Sequence, residues 1–128
     1  MSVVGNPRVL TGIDAVDIPR FRAVVERRPR LLIRVFTEGE LEYANGRRDP
    51  ARHLAVRFAA KEAVGKLLGS GVTSWQEIEV EGGGQPRVKL GGRAAGAAHR
   101  LGLGPISLSL SHTDTMAVAS ASALAYRP

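Results

Sequence analysis

A chain of 128 residues, 44% hydrophobic and 23% charged, has the make-up of one soluble globular domain spanning residues 1–128. It contains no cysteine, which excludes a disulfide framework or a thiolate metal site, and no apolar run approaches the roughly 18–20 residues that cross a bilayer. Its net charge of +6, with arginine supplying 15 of the 18 basic residues, suits an anionic partner: nucleic acid, a phosphorylated cofactor or an acidic protein.

The charge is not spread evenly. Residues 20–34 carry Arg20, Arg22, Arg27, Arg28, Arg30 and Arg34 against Glu26 alone. The opening segment, with Arg8 inside it, lacks the basic-then-apolar-then-small order of a secretory signal. With cysteine absent, a cytoplasmic location and no membrane contact are the expectation.

In chain order, Val9–Ile13 reads as a short strand that ends at Asp14. Asp17 caps a helix that takes Pro19 in its first turn and stops near Arg28-Pro29. Leu31–Phe36 is short and apolar apart from Arg34, and reads as helix. Thr37 with Glu40 forms a capping box for a helix from Glu38 to Ala44, broken by Asn45-Gly46. Asp49-Pro50 starts the clearest element, a helix to Leu68 that stops at Gly69; Asp is a good cap and Pro a good first helical residue. Its apolar residues cover more than one stripe, so it is the largely buried pillar of the domain.

Trp75–Glu81 alternates as a strand, Gly82-Gly83-Gly84 turns, and Arg87–Leu90 returns to complete a hairpin. Gly92–Leu101 is an alanine-rich helix ended by Gly102. Ile106–His112 and Met116–Leu124 alternate as strands around a Thr113-Asp114-Thr115 turn. The fold class is α+β, with a small, mostly antiparallel sheet packed against the long helix.

Four places carry candidate chemistry. Asp14, at the expected strand end, is placed to enter a cleft, or serves as a turn residue. Glu62 and Lys66 lie four apart on one face of the long helix, as an ion pair or as ligands, with Arg57 and Lys61 beside them. His112 sits between strand and turn, where it can meet phosphate or move a proton, and strand alternation turns the hydroxyls of Ser111 and Thr113 to the other face. His53 and His99 have no comparable setting. The Gly82–Pro86 run is a loop without the spacing of a Walker phosphate loop. Two carboxylates without cysteine suit a hard cation such as Mg²⁺, which prefers few carboxylates plus water and substrate phosphate.

Taken together, three blocks resemble the holo-[acyl-carrier-protein] synthase family of phosphopantetheinyl transferases. They are Gly12-Ile13-Asp14 with Ala15–Phe21, Arg57-Phe58-Ala59-Ala60-Lys61-Glu62-Ala63-Val64-Gly65-Lys66, and Ser109-Leu110-Ser111-His112-Thr113. Phe36-Thr37-Glu38-Gly39-Glu40-Leu41 and Gly84-Gln85-Pro86 also fall where the family has such motifs, so the resemblance spans about residues 9–124.

It implies an enzyme that moves 4′-phosphopantetheine from coenzyme A to a carrier-protein serine and releases adenosine 3′,5′-bisphosphate, in support of fatty acid or polyketide synthesis. Asp14 and Glu62 would hold Mg²⁺ with the coenzyme A pyrophosphate, and Lys66 would neutralise the phosphate being transferred. Arg57, Ser70, Gly71, Pro86, Ser111, His112 and Thr113 fall on or beside coenzyme A contacts. Arg20, Arg30 and Arg34 match the surface that receives an acidic acyl carrier protein. The family is homotrimeric, with active sites between subunits. Two departures stand out: Gly65 inside the long helix, where it costs about 1 kcal/mol of helix propensity, and Asp114 beside His112-Thr113. The rivals are a small basic nucleic-acid-binding domain, disfavoured by 5% aromatic content, and a non-catalytic coenzyme A-binding relative.

Overall fold

The computed structural model describes residues 6–69 and 74–127. The expected order of elements is present: strand β1 (Arg8–Asp17), helices α1 (Ile18–Arg27), α2 (Leu31–Val35), α3 (Glu38–Asn45) and α4 (Pro50–Leu68), a 3₁₀ turn (Trp75–Glu77), strands β2 (Ile78–Glu81) and β3 (Arg87–Leu90), helix α5 (Gly92–Leu101), and strands β4 (Ser107–His112) and β5 (Met116–Ala125). The antiparallel sheet is divided in two, a three-stranded sheet in the order β1-β5-β4 and the two-stranded hairpin β2-β3. Among the described residues, no helix is long and apolar enough to cross a membrane.

Small residues bring the three-stranded sheet and α4 together. Strand alternation turns Ala117, Ala119, Ala121, Ala123 and Ala125 of β5 inward, all buried, against Ala55, Ala59, Ala60 and Ala63 of α4. Gly12 of β1 belongs to the same contact: a Cβ there would stand 1.9 Å from the Ala63 carbonyl oxygen. Only a residue without a side chain allows so close an approach of strand to helix. Gly65 has a similar reason. A Cβ would meet the Trp75 ring at 3.2 Å, so the helix gives up propensity for contact with the indole. A second cluster, with Phe21, Phe36 and Phe58 at centroid separations of 5.9–6.4 Å, joins α1 and the end of α2 to α4.

A buried ion pair ties α3 to α4. Lys61 Nζ donates to Glu40 Oε1 at 2.6 Å with both side chains fully buried. The Thr37–Glu40 capping box is formed, and Glu40 Oε2 also accepts from the Val80 amide of β2 at 2.8 Å. The Glu40 carboxylate is therefore satisfied from three elements at once.

Three expectations are corrected. β1 is ten residues long rather than five and carries Asp14 within the strand, because β5 pairs with it along its whole length, from Arg8↔Ala125 to Asp17↔Met116. Asp49 does not cap α4 with its side chain. It adopts φ 56° in the left-handed region, and its carboxylate is taken by both terminal nitrogens of Arg22 at 2.8 and 3.0 Å. Trp75–Glu77 forms a 3₁₀ turn, and strand β2 begins at Ile78. Ser74 caps the turn, Gln76 Nε2 donates to the carbonyls of Ile33 and Phe36, and β3 offers partners to Ile78–Glu81 alone.

Candidate active site

Asp14 faces α4 because it shares the inward phase of β1 with Leu10, Gly12 and Val16. The close approach at Gly12 sets the strand against the turn of α4 that carries Glu62 and Lys66. Lys66 Nζ donates to Asp14 Oδ1 at 2.9 Å and to the Ile13 carbonyl at 3.0 Å. The Lys66 side chain is 55% exposed and that of Asp14 13%. Burial pushes the Glu62 carboxyl above its usual range, and the neighbouring Asp14 carboxylate adds to this by charge and by hydrogen bonding. Lys66 is held above its usual value, chiefly by the hydrogen bond with Asp14.

Glu62 and Asp14 open into a cleft walled by Phe21 and Val24 of α1, with Phe58 behind and Arg20 at its side. Two carboxylates that repel each other are of the chemistry that suits a hard divalent cation. Among the described residues, no group of three or more His, Cys, Asp and Glu side chains is arranged to hold a metal. A cation here would complete its shell with water and substrate oxygens, as Mg²⁺ commonly does.

A second, separate pocket opens at the other edge of the sheet. His53, Val56 and Arg57 of α4, Tyr43 of α3, the Gly82–Pro86 turn, and Leu110 and His112 of β4 line it. Arg57, 4% exposed, donates to the Val80 carbonyl at 3.1 Å and the Gly82 carbonyl at 2.6 Å, which holds the turn bearing Pro86 in place. The Arg57 and Arg47 guanidiniums also lie over the Tyr43 ring, at 3.9 and 4.5 Å from its centroid.

The candidate residues thus fall into groups. Asp14, Glu62 and Arg20 line the cleft, with Lys66 held to Asp14; Arg57, Pro86 and His112 line the pocket. Ser111 lies on the outer face of β4, away from the pocket, and Thr113 Oγ1 accepts from the Thr115 and Met116 amides to close the turn to β5. Arg30 and Arg34 line a third hollow with Arg27 and Arg28. Ser70 and Gly71 lie outside the described residues. The sequence reading passed over Tyr43 and His53. His53 stands one helical turn before Arg57, and that spacing was the available signal.

The profile of the 4′-phosphopantetheinyl transferase superfamily matches residues 11–116. The chain belongs to that superfamily. It is 51% identical to a holo-[acyl-carrier-protein] synthase of Moorella thermoacetica over 114 residues, 86% of this chain and 89% of that protein. Against the Streptomyces avermitilis holo-[acyl-carrier-protein] synthase it is 45% identical, over 93% of this chain and 95% of the other. Among solved structures, the ACPS–CoA complex of Chronobacterium ammoniagenes superposes with a TM-score of 0.83 at 30% identity, over 94% of this chain and 99% of that one. Likeness of this degree over most of both chains makes this phosphopantetheinyl transferase superfamily member an enzyme of the holo-[acyl-carrier-protein] synthase kind.

Proposed function

We propose that this enzyme transfers 4′-phosphopantetheine from coenzyme A to a serine of an acidic apo-acyl carrier protein, with Mg²⁺ as cofactor, in the cytoplasm and in support of fatty acid synthesis. The observation that carries the reading is the convergence of Asp14, Glu62 and Lys66 on one cleft from two elements distant in the chain.

The serine oxygen forms a bond to the β-phosphorus of the coenzyme A pyrophosphate, the P–O bond to the bridging oxygen breaks, and adenosine 3′,5′-bisphosphate leaves with that oxygen. Asp14 and Glu62 would hold the cation, which when bound supplies positive charge to the pyrophosphate oxygens. Lys66, anchored on Asp14 yet exposed, is placed to meet charge that grows on the transferred phosphate. The serine proton leaves to the carboxylate pair, directly or through a water molecule. Phe21 and Phe58 wall the cleft and exclude water from one side. Arg20 at the rim, with Arg30 and Arg34, presents positive charge to the carrier, which favours fast, salt-sensitive docking.

Coenzyme A has a second charged end, and the pocket lined by Arg57, Pro86 and His112 suits it. That pocket lies at the β4 edge and the cleft at the β1 edge, with β5 between them. On α4, His53 and Glu62 are about 13 Å apart along the axis and about half a turn round it. A single coenzyme A would reach one pocket from each of two copies. The outer sheet face supports assembly too, since Val9 and Ile13 are 68% and 64% exposed there, with Met116 and Leu124 beside them. We take the assembly to be a homotrimer with active sites between subunits.

The test is to incubate the enzyme with coenzyme A, Mg²⁺ and apo-carrier protein, then weigh the carrier. The expected result is a gain of one phosphopantetheine unit, abolished by chelator and by Glu62→Ala. A carrier of unchanged mass, across several candidates and with both Mg²⁺ and Mn²⁺, would overturn the reading.

A further inference from the structure

The pocket at the β4 edge carries more positive charge than its hydrogen bonds use. Around His53 stand Arg52 and Arg57 on its own helix, Tyr43 on α3, Arg47 just beyond α3, and His112 from β4, while the glycine turn brings no charge to the lining. Among the described residues, no carboxylate lines the pocket. Arg57, almost wholly buried, leaves its Nε–H without a partner, and Arg52 Nε is buried and unpartnered as well. Buried donors left unpaired cost free energy unless a ligand or water meets them. Tyr43 fixes the geometry: its ring packs edge-on against His53 at 6.0 Å between centroids and lies under both Arg47 and Arg57. The turn closes on it so tightly that a Cβ at Gly83 would stand 3.4 Å from the tyrosine and from Arg47 Nη2.

Such a pocket is built for a compact anion of more than one charge. Coenzyme A offers two kinds: its pyrophosphate, which belongs with Asp14, Glu62 and Lys66, and the phosphate monoester on its ribose. We propose that His53 is the contact that reads this phosphate monoester, and that it does so by taking up a proton as the phosphate arrives. The inference rests on coenzyme A being the substrate. Arginines hold their charge throughout the working range, so a histidine is the group able to adjust. Burial first, and then the charges of Arg52, Arg47, His112 and Arg57, hold the His53 imidazole below its ordinary range, which favours the neutral ring in the free enzyme. A dianionic phosphate among the same cations reverses the balance and favours the imidazolium. A substrate that lacks the monoester leaves His53 uncharged and the cations around the pocket without their anion, which makes the pocket selective for the intact cofactor.

The linkage has a defined sign. Between the free and the bound midpoints of His53, binding consumes a proton, so affinity falls by up to about tenfold per pH unit as pH rises. The phosphate has its own titration near pH 6 and is largely dianionic above about pH 6.5, so the fall in affinity is read above that pH, while the ring signals report His53 itself throughout.

The experiment follows the histidine rings of the wild-type enzyme by NMR from about pH 4.5 to about pH 8.5, in chelator so that the carboxylate cleft binds no metal. His53→Gln and His112→Gln assign the signals. The probe is coenzyme A, with 3′-dephospho-coenzyme A as the control lacking the monoester. The expected result is a His53 midpoint that rises by about one pH unit or more with coenzyme A and stays in place with the dephospho form. If saturating coenzyme A shifts the His112 signals while the His53 midpoint stays put, the proposal is wrong and the coenzyme A reading stands. If neither histidine responds, the coenzyme A reading falls and takes the proposal with it.

Discussion

Lys61 and Glu62 are adjacent in the chain, and the fold gives them opposite lives. Lys61 points into the core, where Glu40 is its partner at 2.6 Å and no part of either side chain reaches solvent. Burial drives the Lys61 ammonium down in spite of the Glu40 carboxylate, which works the other way by charge and hydrogen bond. Glu62, about 100° further round the helix, opens into a cleft beside Asp14, and its nearest carboxylate repels it. A satisfied charge holds elements together. A frustrated one is suited to take a cation, as proposed for Glu62. The difference separates architecture from chemistry within a single dipeptide.

The contrast can be broken from either side, and the largest effect is on turnover. Glu62→Ala removes a proposed cation ligand and is expected to slow phosphopantetheine transfer by about 10³- to 10⁴-fold, with a denaturation midpoint at or above that of the parent. Glu40→Ala leaves the Lys61 charge buried and alone, at a cost of about 3–5 kcal/mol of stability in a urea titration. Activity per folded molecule should survive. Replacing both partners, Glu40→Leu with Lys61→Met, should recover most of that loss, since an apolar pair of similar volume is often neutral or better.

Lys66→Ala comes next. A donor aimed at charge that develops in the transition state is expected to cost about 10²- to 10³-fold, and more in kcat than in KM. Equal losses in both, or a change in KM alone, would place Lys66 in ground-state binding instead.

The smallest effect is thermodynamic and sharpens the claim of frustration. Because the folded state holds Glu62 above its unfolded value, the ionised carboxylate costs stability. That cost is absent below the unfolded value, grows as pH rises through the folded one, and is fully present beyond it. Metal-free Glu62→Gln should therefore melt roughly a degree or two higher than the parent near neutral pH, with the gap closing as pH falls through the raised Glu62 range. Calorimetry on the two proteins checks both the sign and the closing gap.

Much of the fold was legible because it is local. The Thr37–Glu40 capping box, Asp17 with Pro19, and the alternation of Ile106–His112 and Met116–Leu124 each carry their signal within a few residues, and each became the expected kind of element. What failed depended on partners far away. The length of β1 is set by β5, more than a hundred residues later. Asp49 reads as a cap until Arg22 claims its carboxylate. Trp75 alternates with its neighbours, yet Gly65 and the carbonyls at the end of α2 hold that stretch in a turn.

The site shows the same division. Asp14, Glu62 and Lys66 stood out by residue type and motif, whereas their meeting depends on Gly12, whose missing side chain matters only once α4 lies across it. Glu40 was readable as half of a capping box and not as the partner of Lys61. His53 offered only its spacing from Arg57, and its setting emerges once Tyr43 and the glycine turn close a pocket around it.

The claim beneath all of this is that the carboxylates of residues 14 and 62 share one divalent ion. Crystals grown with Mn²⁺ and coenzyme A, and measured at the manganese absorption edge, address it directly. The account predicts one anomalous peak within about 2.3 Å of an oxygen from each carboxylate, with the remaining ligands supplied by water and pyrophosphate. A peak that touches only one of the two, or that lies elsewhere on the protein, would contradict it.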